Sequence, residues 1–523
     1  MGPFSRPARS TLVILLYAIL HTGCSFDTSV SYFIDPSKGD DLNAGTSPAS
    51  AWKSFANLEG LVLQPGEKLL LKSGVTFNER LTVSGRGSAD SPVYIGAYGR
   101  GTMPVISAPD SSYFAVKVTN SDYLTISGIE IINHGSNNLA GRTGLHIEVV
   151  NYGVSHNVTA DGLYIHDVNG SLVKRQGGGS GIYISYAPVG RRMGEEYARD
   201  TIPSRFDGLT IKNCHIARCQ RNAMIWQEKS DRKDWNPSTN VVVRGNLIEE
   251  VPGDGIVPIR TDGCLVEYNI MRDCPKMLPQ SEAAAGFWPW SADNTVIQFN
   301  EVSGHKAPWD AQAYDCDYNC HNTTIQYNYS HDNYGGLVLI CTCAPRESYN
   351  VGNQKPVVQY NLSINDGLRP DLARERYFSP TIHLGGPSKS PLIRRNILHQ
   401  NVKSDPRIDT DMITSDSWEG YADSTSIVEN IFYSANDSRF NMTKSTANLW
   451  KDNYYVGKTV KPEGDDTGTK SIEDFYRENV LGKGEDGFTG LAGLVLEEKD
   501  VCGVAGHFVS KDKIEKLFDG LRN

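Results

Sequence analysis

The chain has 523 residues, and its 61 acidic side chains outnumber its 51 basic ones for a net charge of −10. This balance argues against nucleic acid or an anionic membrane surface as a partner recognised by charge. Fifty glycines among many Asn, Asp and Ser argue against long helices and for short elements joined by tight turns.

Residues 1–30 read as an export leader. Arg6 and Arg9 precede TLVILLYAIL, an apolar run too short to span a bilayer. It ends in HTGC, which resembles the lipobox of bacterial lipoproteins and would make Cys24 the lipidated residue of the mature chain. His21 stands where that pattern prefers leucine, so simple secretion is the alternative. The product is expected to be an exported monomer, secreted, periplasmic or lipid-anchored at the cell surface, that meets a membrane only through such an anchor.

From residue 31 to about 455 the chain carries short runs rich in Val, Ile, Thr and Tyr, such as YLTISGIEII, NVVVRGNLI and NTTIQYNYS. Apolar side chains recur at every second position, as in strands with one core face. An asparagine follows each of many such runs: Asn213, Asn246, Asn269, Asn300, Asn328, Asn361, Asn396, Asn430 and Asn453, 23 to 35 residues apart. That is the period of a solenoid whose stacked coils bury a common core and whose asparagines can bond along the stack. Cys214, Cys219, Cys264, Cys274, Cys316, Cys320, Cys341 and Cys343 cluster in the middle of the chain without a recognisable zinc spacing, and are expected to be core thiols with occasional disulfides.

With these coils, and with the segments YFIDPSKGDDLNAGTSPASAWKSFANL, LQPGEKLLLKSGVTF and SPVYIGAYGRG, the chain resembles the right-handed parallel β-helix carbohydrate-active enzymes, which include glycoside hydrolases, polysaccharide lyases and epimerases. The expected fold is an all-β right-handed parallel β-helix. A short helix in SAWKSFANLEG would plug its N-terminal end. Residues 456–523 are expected to form a small C-terminal cap or tail, with helical spacing in SIEDFYRENVLG and KDKIEKLFDGLR.

Aligning the coils on their asparagines brings NAMIWQE, GDGIVPIR, AAGFWPWS, DAQAYDCD and GGLVLIC onto neighbouring rungs of one sheet. Alternation then puts Trp288 and Trp290 on one side of their strand, and Asp315 and Asp317 on one side of the next. Indole faces beside carboxylates make a sugar site, because rings stack on pyranose C–H faces while carboxylates bond hydroxyls or move protons. The expected machinery is Asp315 and Asp317 as acid and base with Asp310 assisting. Trp288 and Trp290 are expected to stack on sugars, Glu228 and Arg260 to position them, and His331, Asp332 and His383 to line the rim.

These residues point to a glycoside hydrolase that needs no cofactor and takes a polysaccharide or branched glycan as substrate. Two alternatives stand beside it. In a lyase or uronate epimerase the aspartates would hold calcium and Arg260 would neutralise a uronate. A non-enzymatic glycan-binding solenoid would use the same face without chemistry.

Overall fold

The computed structural model describes Gly2 and residues 30–186, 201–228, 232–233, 235–345, 350–370, 377–465, 491 and 493–522. The leader with Cys24, and the segment SIEDFYRENVLG, lie outside the described residues.

Most coils contribute a strand to each of three parallel faces. One is a 16-stranded sheet whose main path runs from Ser31–Ile34 to Leu449–Lys451, and the second is a 13-stranded sheet from Thr76–Phe77 to Tyr454–Thr459. The third comes in two pieces: seven strands from Val62–Leu63 to Ile256–Val257, then five from Tyr314–Cys316 to Phe440–Asn441. The expected all-β right-handed parallel β-helix is the observed architecture.

Register explains the core. In the first sheet Val243, Val266, Ile297, Ile325, Val358 and Ile393 pair in succession, one per coil, and all are fully buried. A single coil cannot shield such a residue, so each rung depends on the next.

The asparagines form the expected ladder at one corner. Asn246 Nδ2 donates to Asn269 Oδ1 at 2.8 Å, and the bond repeats at 3.0 Å through Asn300, Asn328, Asn361, Asn396 and Asn430 to Asn453. Asn213 is an exception. The residue before each ladder asparagine is left-handed, as at Gly245, Tyr268, Phe299 and Tyr327, and Asn213 occupies that slot at φ 53°. Cys214 therefore stands at the ladder position of its coil, where its backbone N–H donates to Asn246 Oδ1. Asparagine tolerates the left-handed region, which is why it fits the slot. At the same corner Tyr268, Phe299, Tyr327 and Tyr360 stack ring on ring, 5.2 to 5.3 Å apart.

The C-terminal segment covers that stack. An antiparallel hairpin, Val495–Val501 with Val504–Val509, brings Phe508 edge-on to Tyr268, and the helix Lys511–Arg522 brings Phe518 edge-on to Tyr360. At the other end SAWKSFANLEG does not form the expected short α-helix. Two single 3-10 turns, Pro48–Ser50 and Ala56–Leu58, flank the buried Trp52 and Phe55. Between them Asp41 accepts the Lys53 and Ser54 backbone N–H groups at 2.8 Å, drawing donors away from a helical ladder. The nine described cysteines are all free thiols, seven of them buried, so the expected disulfides are not found among the described residues.

Candidate active site

The third face breaks where Gly286, Phe287, Trp288, Pro289 and Trp290 cross it. Here the stack narrows to isolated bridges, Ile256 to Phe287 to Tyr314, with the Trp288 N–H donating to the Ile256 carbonyl at 3.0 Å and the Asp315 N–H to the Phe287 carbonyl at 3.2 Å. Pro289 lacks an N–H for a ladder, and Gly286 passes so close to the next coil that an added Cβ would lie 2.2 Å from the Ala313 carbonyl oxygen. A two-stranded piece, Ala283–Ala284 with Trp309–Asp310, forms instead at the upstream edge. The break opens a cavity of about 790 Å3, a size suited to small-molecule ligands.

All three expected aspartates line it. Tyr314 and Cys316 point into the core and are fully buried, so alternation turns Asp315 and Asp317 outward. Asp310 ends its short strand at φ 56°, and Ala311 follows at φ 60°. Two consecutive non-glycine residues in the left-handed region need support. Arg369 supplies it: its guanidinium donates to the carbonyls of Ala307 at 3.1 Å, of Asp310 at 2.6 Å and of Pro308.

The three carboxylates differ in surroundings. Asp315 is only 4% exposed, and its Oδ1 has no hydrogen-bond partner among the described residues. Burial, reinforced by Asp310 and Asp317, pushes its pKa well above the usual carboxylate range. Asp310 and Asp317 are half-buried. Burial also raises Asp310, against the pull of Arg369 and His383. Asp317 is raised by burial too, but it receives the Tyr318 backbone N–H at 2.6 Å and the Cys341 thiol at 3.1 Å, both on Oδ1, and Lys174 favours its charge. Its other oxygen is left for the cavity.

A fourth carboxylate, Asp254, was not singled out from the sequence. Burial opposes its charge, but Arg221 and Lys174 outweigh burial and hold its pKa below the usual range. It accepts hydrogen bonds from Arg221, from the Ala285 N–H at 3.1 Å and from Trp288 Nε1 at 3.2 Å.

Trp288 is thus placed at the cavity, but it is 6% exposed and built into the wall, contrary to the open stacking platform expected. Trp290 does not line the cavity and packs half-buried against the core. Trp309 and Trp418 line it instead, together with Phe378. His383 was expected at the rim; it lines the cavity but is buried in its wall, edge-on to Phe378 and Trp418 with Nε2 3.8 Å from Asp416.

Three further expectations are corrected. Arg260 is 3% exposed at φ 55°, with its guanidinium 5.1 Å from the Tyr186 ring, and lines neither this cavity nor the neighbouring cleft. His331 and Asp332 belong to the 13-stranded face, where His331 contacts Glu301 at 3.3 Å and Asp332 at 2.9 Å. Burial disfavours the His331 charge, but these two carboxylates raise its pKa to about 9. Alternation says which side of a strand a residue takes, not which of three faces the strand joins. Glu228 lines a neighbouring cleft that shares Lys174 with the cavity. Among the described residues no group of three His, Cys, Asp or Glu side chains is arranged to hold a metal ion.

Comparison with known proteins agrees with the fold. Residues 204–364 match the family model described as the right-handed beta helix region. A lacto-N-biosidase from Bifidobacterium longum subsp. longum is 26% identical over 430 residues, covering 66% of this chain and 26% of that protein. An alpha-1,3-galactosidase A from Akkermansia muciniphila is 41% identical over 64 residues, 12% of this chain and 11% of that protein. The crystal structure of the GH136 lacto-N-biosidase from Eubacterium ramulus superposes with a TM-score of 0.54 at 23% identity, covering 83% of this chain and 67% of that one. The likeness to right-handed β-helix carbohydrate-active enzymes is borne out by these matches. The chain spans about a quarter of the length of the Bifidobacterium relative and about a tenth of the Akkermansia one.

Proposed function

We propose that the cavity on the third face is the active site of a glycoside hydrolase. The observation that carries this reading is the cluster of Asp310, Asp315 and Asp317 in a cavity walled by Trp288, Trp309 and Trp418, with one Asp315 oxygen buried and unpartnered. Unpaired buried carboxylates are costly to a fold, and burial and like charge give them the raised pKa a general acid needs.

The surroundings assign different tasks. Asp310 and Asp317 reach the cavity surface, so they are the pair that meets substrate. Asp310, whose pKa burial raises and whose carboxylate has no hydrogen bond among the described residues, holds the proton given to the leaving oxygen. Asp317, pinned through Oδ1 by Tyr318 and Cys341, is the ionised partner that attacks or activates water with its other oxygen. Asp315 lies beneath them, where burial and its two neighbours disfavour a further charge. Asp254 and Arg221 fix Trp288 as an aromatic wall against which a sugar ring lies. No step calls on a metal or a cofactor.

The names of the two relatives suggest glycans ending in lacto-N-biosyl or α-1,3-linked galactosyl units. The test is hydrolysis of p-nitrophenyl lacto-N-bioside, an α-1,3-galactobioside and a panel of polysaccharides, following reducing ends and ultraviolet absorbance, with and without a chelator. New reducing ends without an absorbing product, unchanged by chelation, are expected. An unsaturated absorbing product that needs calcium would replace this reading with the lyase. Binding without any cleavage would leave only a glycan-binding solenoid.

A further inference from the structure

The carboxylate cavity occupies only part of the third face. On the rungs before it, Tyr183, Ile225 and Val257 pair in succession on the outward row that continues to Trp288 and Asp315. A second cleft opens there, lined in part by Tyr183, Asn222, Ile225, Trp226 and Glu228. Lys174 lines both clefts. Its Nζ lies 4.8 Å from the Trp288 ring centre, and Glu282 Oε2 accepts its backbone N–H at 2.8 Å, so it stands as a fixed post between them.

The second cleft is shallow. It encloses about 40 Å3, room for a water or a hydroxyl but not for a ring, so a ligand lies across it. Gly177, Gly178 and Gly179 form one side, and an added Cβ on Gly179 would lie 2.1 Å from the Gln220 carbonyl oxygen, which keeps that side bare. Tyr183 and Ile225 offer half-buried apolar surface and Glu228 is exposed, while Asn222 is buried, with its amide oxygen accepting from Arg221 and the Asp254 N–H, and presents only its amide nitrogen. Flat apolar surface edged by a carboxylate and an amide suits a pyranose, whose C–H face packs while its hydroxyls are bonded. None of these groups is within the carboxylate cavity, and the catalytic roles assigned above leave them unused. At one rung per strand spacing, Ile225 and Tyr183 lie about 14 Å and about 19 Å from the Asp315 rung, which a short oligosaccharide covers and a single ring does not.

We propose that this second cleft is a distal subsite that holds further sugar units of the same glycan, with Lys174 bridging the two clefts. The proposal rests on the glycosidase reading and fixes the direction of the bound chain: along the β-helix axis, from Asp315 toward Tyr183.

The test uses the whole chain carrying Asp317→Asn, which is expected to slow turnover about 100-fold or more. It is titrated calorimetrically with lacto-N-biose and with the lacto-N-biosyl-lactose tetrasaccharide, and again with Tyr183→Ala or Glu228→Gln added. The tetrasaccharide is expected to bind about tenfold more tightly than the disaccharide, and either added substitution to remove most of that gain while disaccharide affinity holds. Glu228→Gln is an exposed change that keeps shape, so the test survives if Tyr183→Ala fails to fold. Equal affinity for the two sugars, or a gain that survives both substitutions, would overturn the distal subsite and leave the glycosidase reading standing. Failure of the wild-type chain to cleave any glycan of the wider panel, together with failure of the variant to bind either sugar, would remove both.

Discussion

Two sets of buried polar side chains lie on this β-helix, and they are treated in opposite ways. Along the corner from Asn246 to Asn453 each amide N–H donates to the next asparagine's Oδ1, which also accepts the backbone N–H of the asparagine before it, so burial leaves nothing unsatisfied. On the third face Asp310, Asp315 and Asp317 crowd together, and Asp315 keeps an oxygen with no partner. The first arrangement repeats because stacking rewards it; the second occurs once, where the sheet is broken. A polar group that a fold satisfies is structural, and one that it holds unsatisfied at the wall of a cavity is available for chemistry.

Trp288 belongs to both categories, and its removal should have the largest effect. Trp288→Ala should cost about 3 to 5 kcal/mol of stability, as expected for a buried aromatic, and should also weaken glycan binding. Chemical denaturation and glycan titration of the same variant measure the two losses; a loss of binding alone would return Trp288 to the open platform expected from its sequence.

Asp310→Asn should lower turnover of natural glycans by about 100-fold or more, with a much smaller loss on glycosides whose phenol leaves without a proton. Equal losses on both substrates would take the proton donor's role from Asp310. The ladder should answer in the opposite currency. Asn328→Ala should cost about 1 to 3 kcal/mol in denaturant unfolding and leave kcat of the folded fraction unchanged, since it strands the backbone and amide N–H donors of Asn300 and the Ile297 carbonyl, none of which lines the cavity.

The smallest effect is a reversal of sign at Asp315. Its folded-state pKa lies above the unfolded value, so its contribution to stability is greatest below the unfolded pKa and is lost as pH rises through the folded one. Asp315→Asn, neutral at every pH, should therefore melt above the wild type, and by more at pH 8 than at pH 5. A melting temperature below the wild type at pH 8 would make Asp315 another structural polar group.

The sequence revealed repetition more readily than convergence. The ladder was legible because one residue type recurs at one place in coil after coil, and it slipped only at Asn213, where asparagine is favoured for its backbone freedom. The aspartates stood out because three fall within eight residues of a strand-like run. Lys174, Asp254, Cys341, Arg369 and Trp418 did not, because each reaches the cavity from a different coil and none forms a local pattern. The break in the third face decides which coils converge there, and its Pro and Gly are visible in the sequence only as possible interruptions. His331 was misplaced for a related reason: its strand alternates like those of the third face but joins another sheet.

The contrast between satisfied and unsatisfied burial is tested most directly by Asp317→Asn, with melting temperature and glycoside turnover measured on one preparation. The expected result is a loss of turnover of about 100-fold or more with no fall in melting temperature, because the substitution removes a buried charge and a reacting oxygen but keeps an acceptor for the Tyr318 N–H and the Cys341 thiol. Turnover that survives, or a melting temperature that falls as far as that of Asn328→Ala, would contradict it and make the carboxylate cluster part of the scaffold.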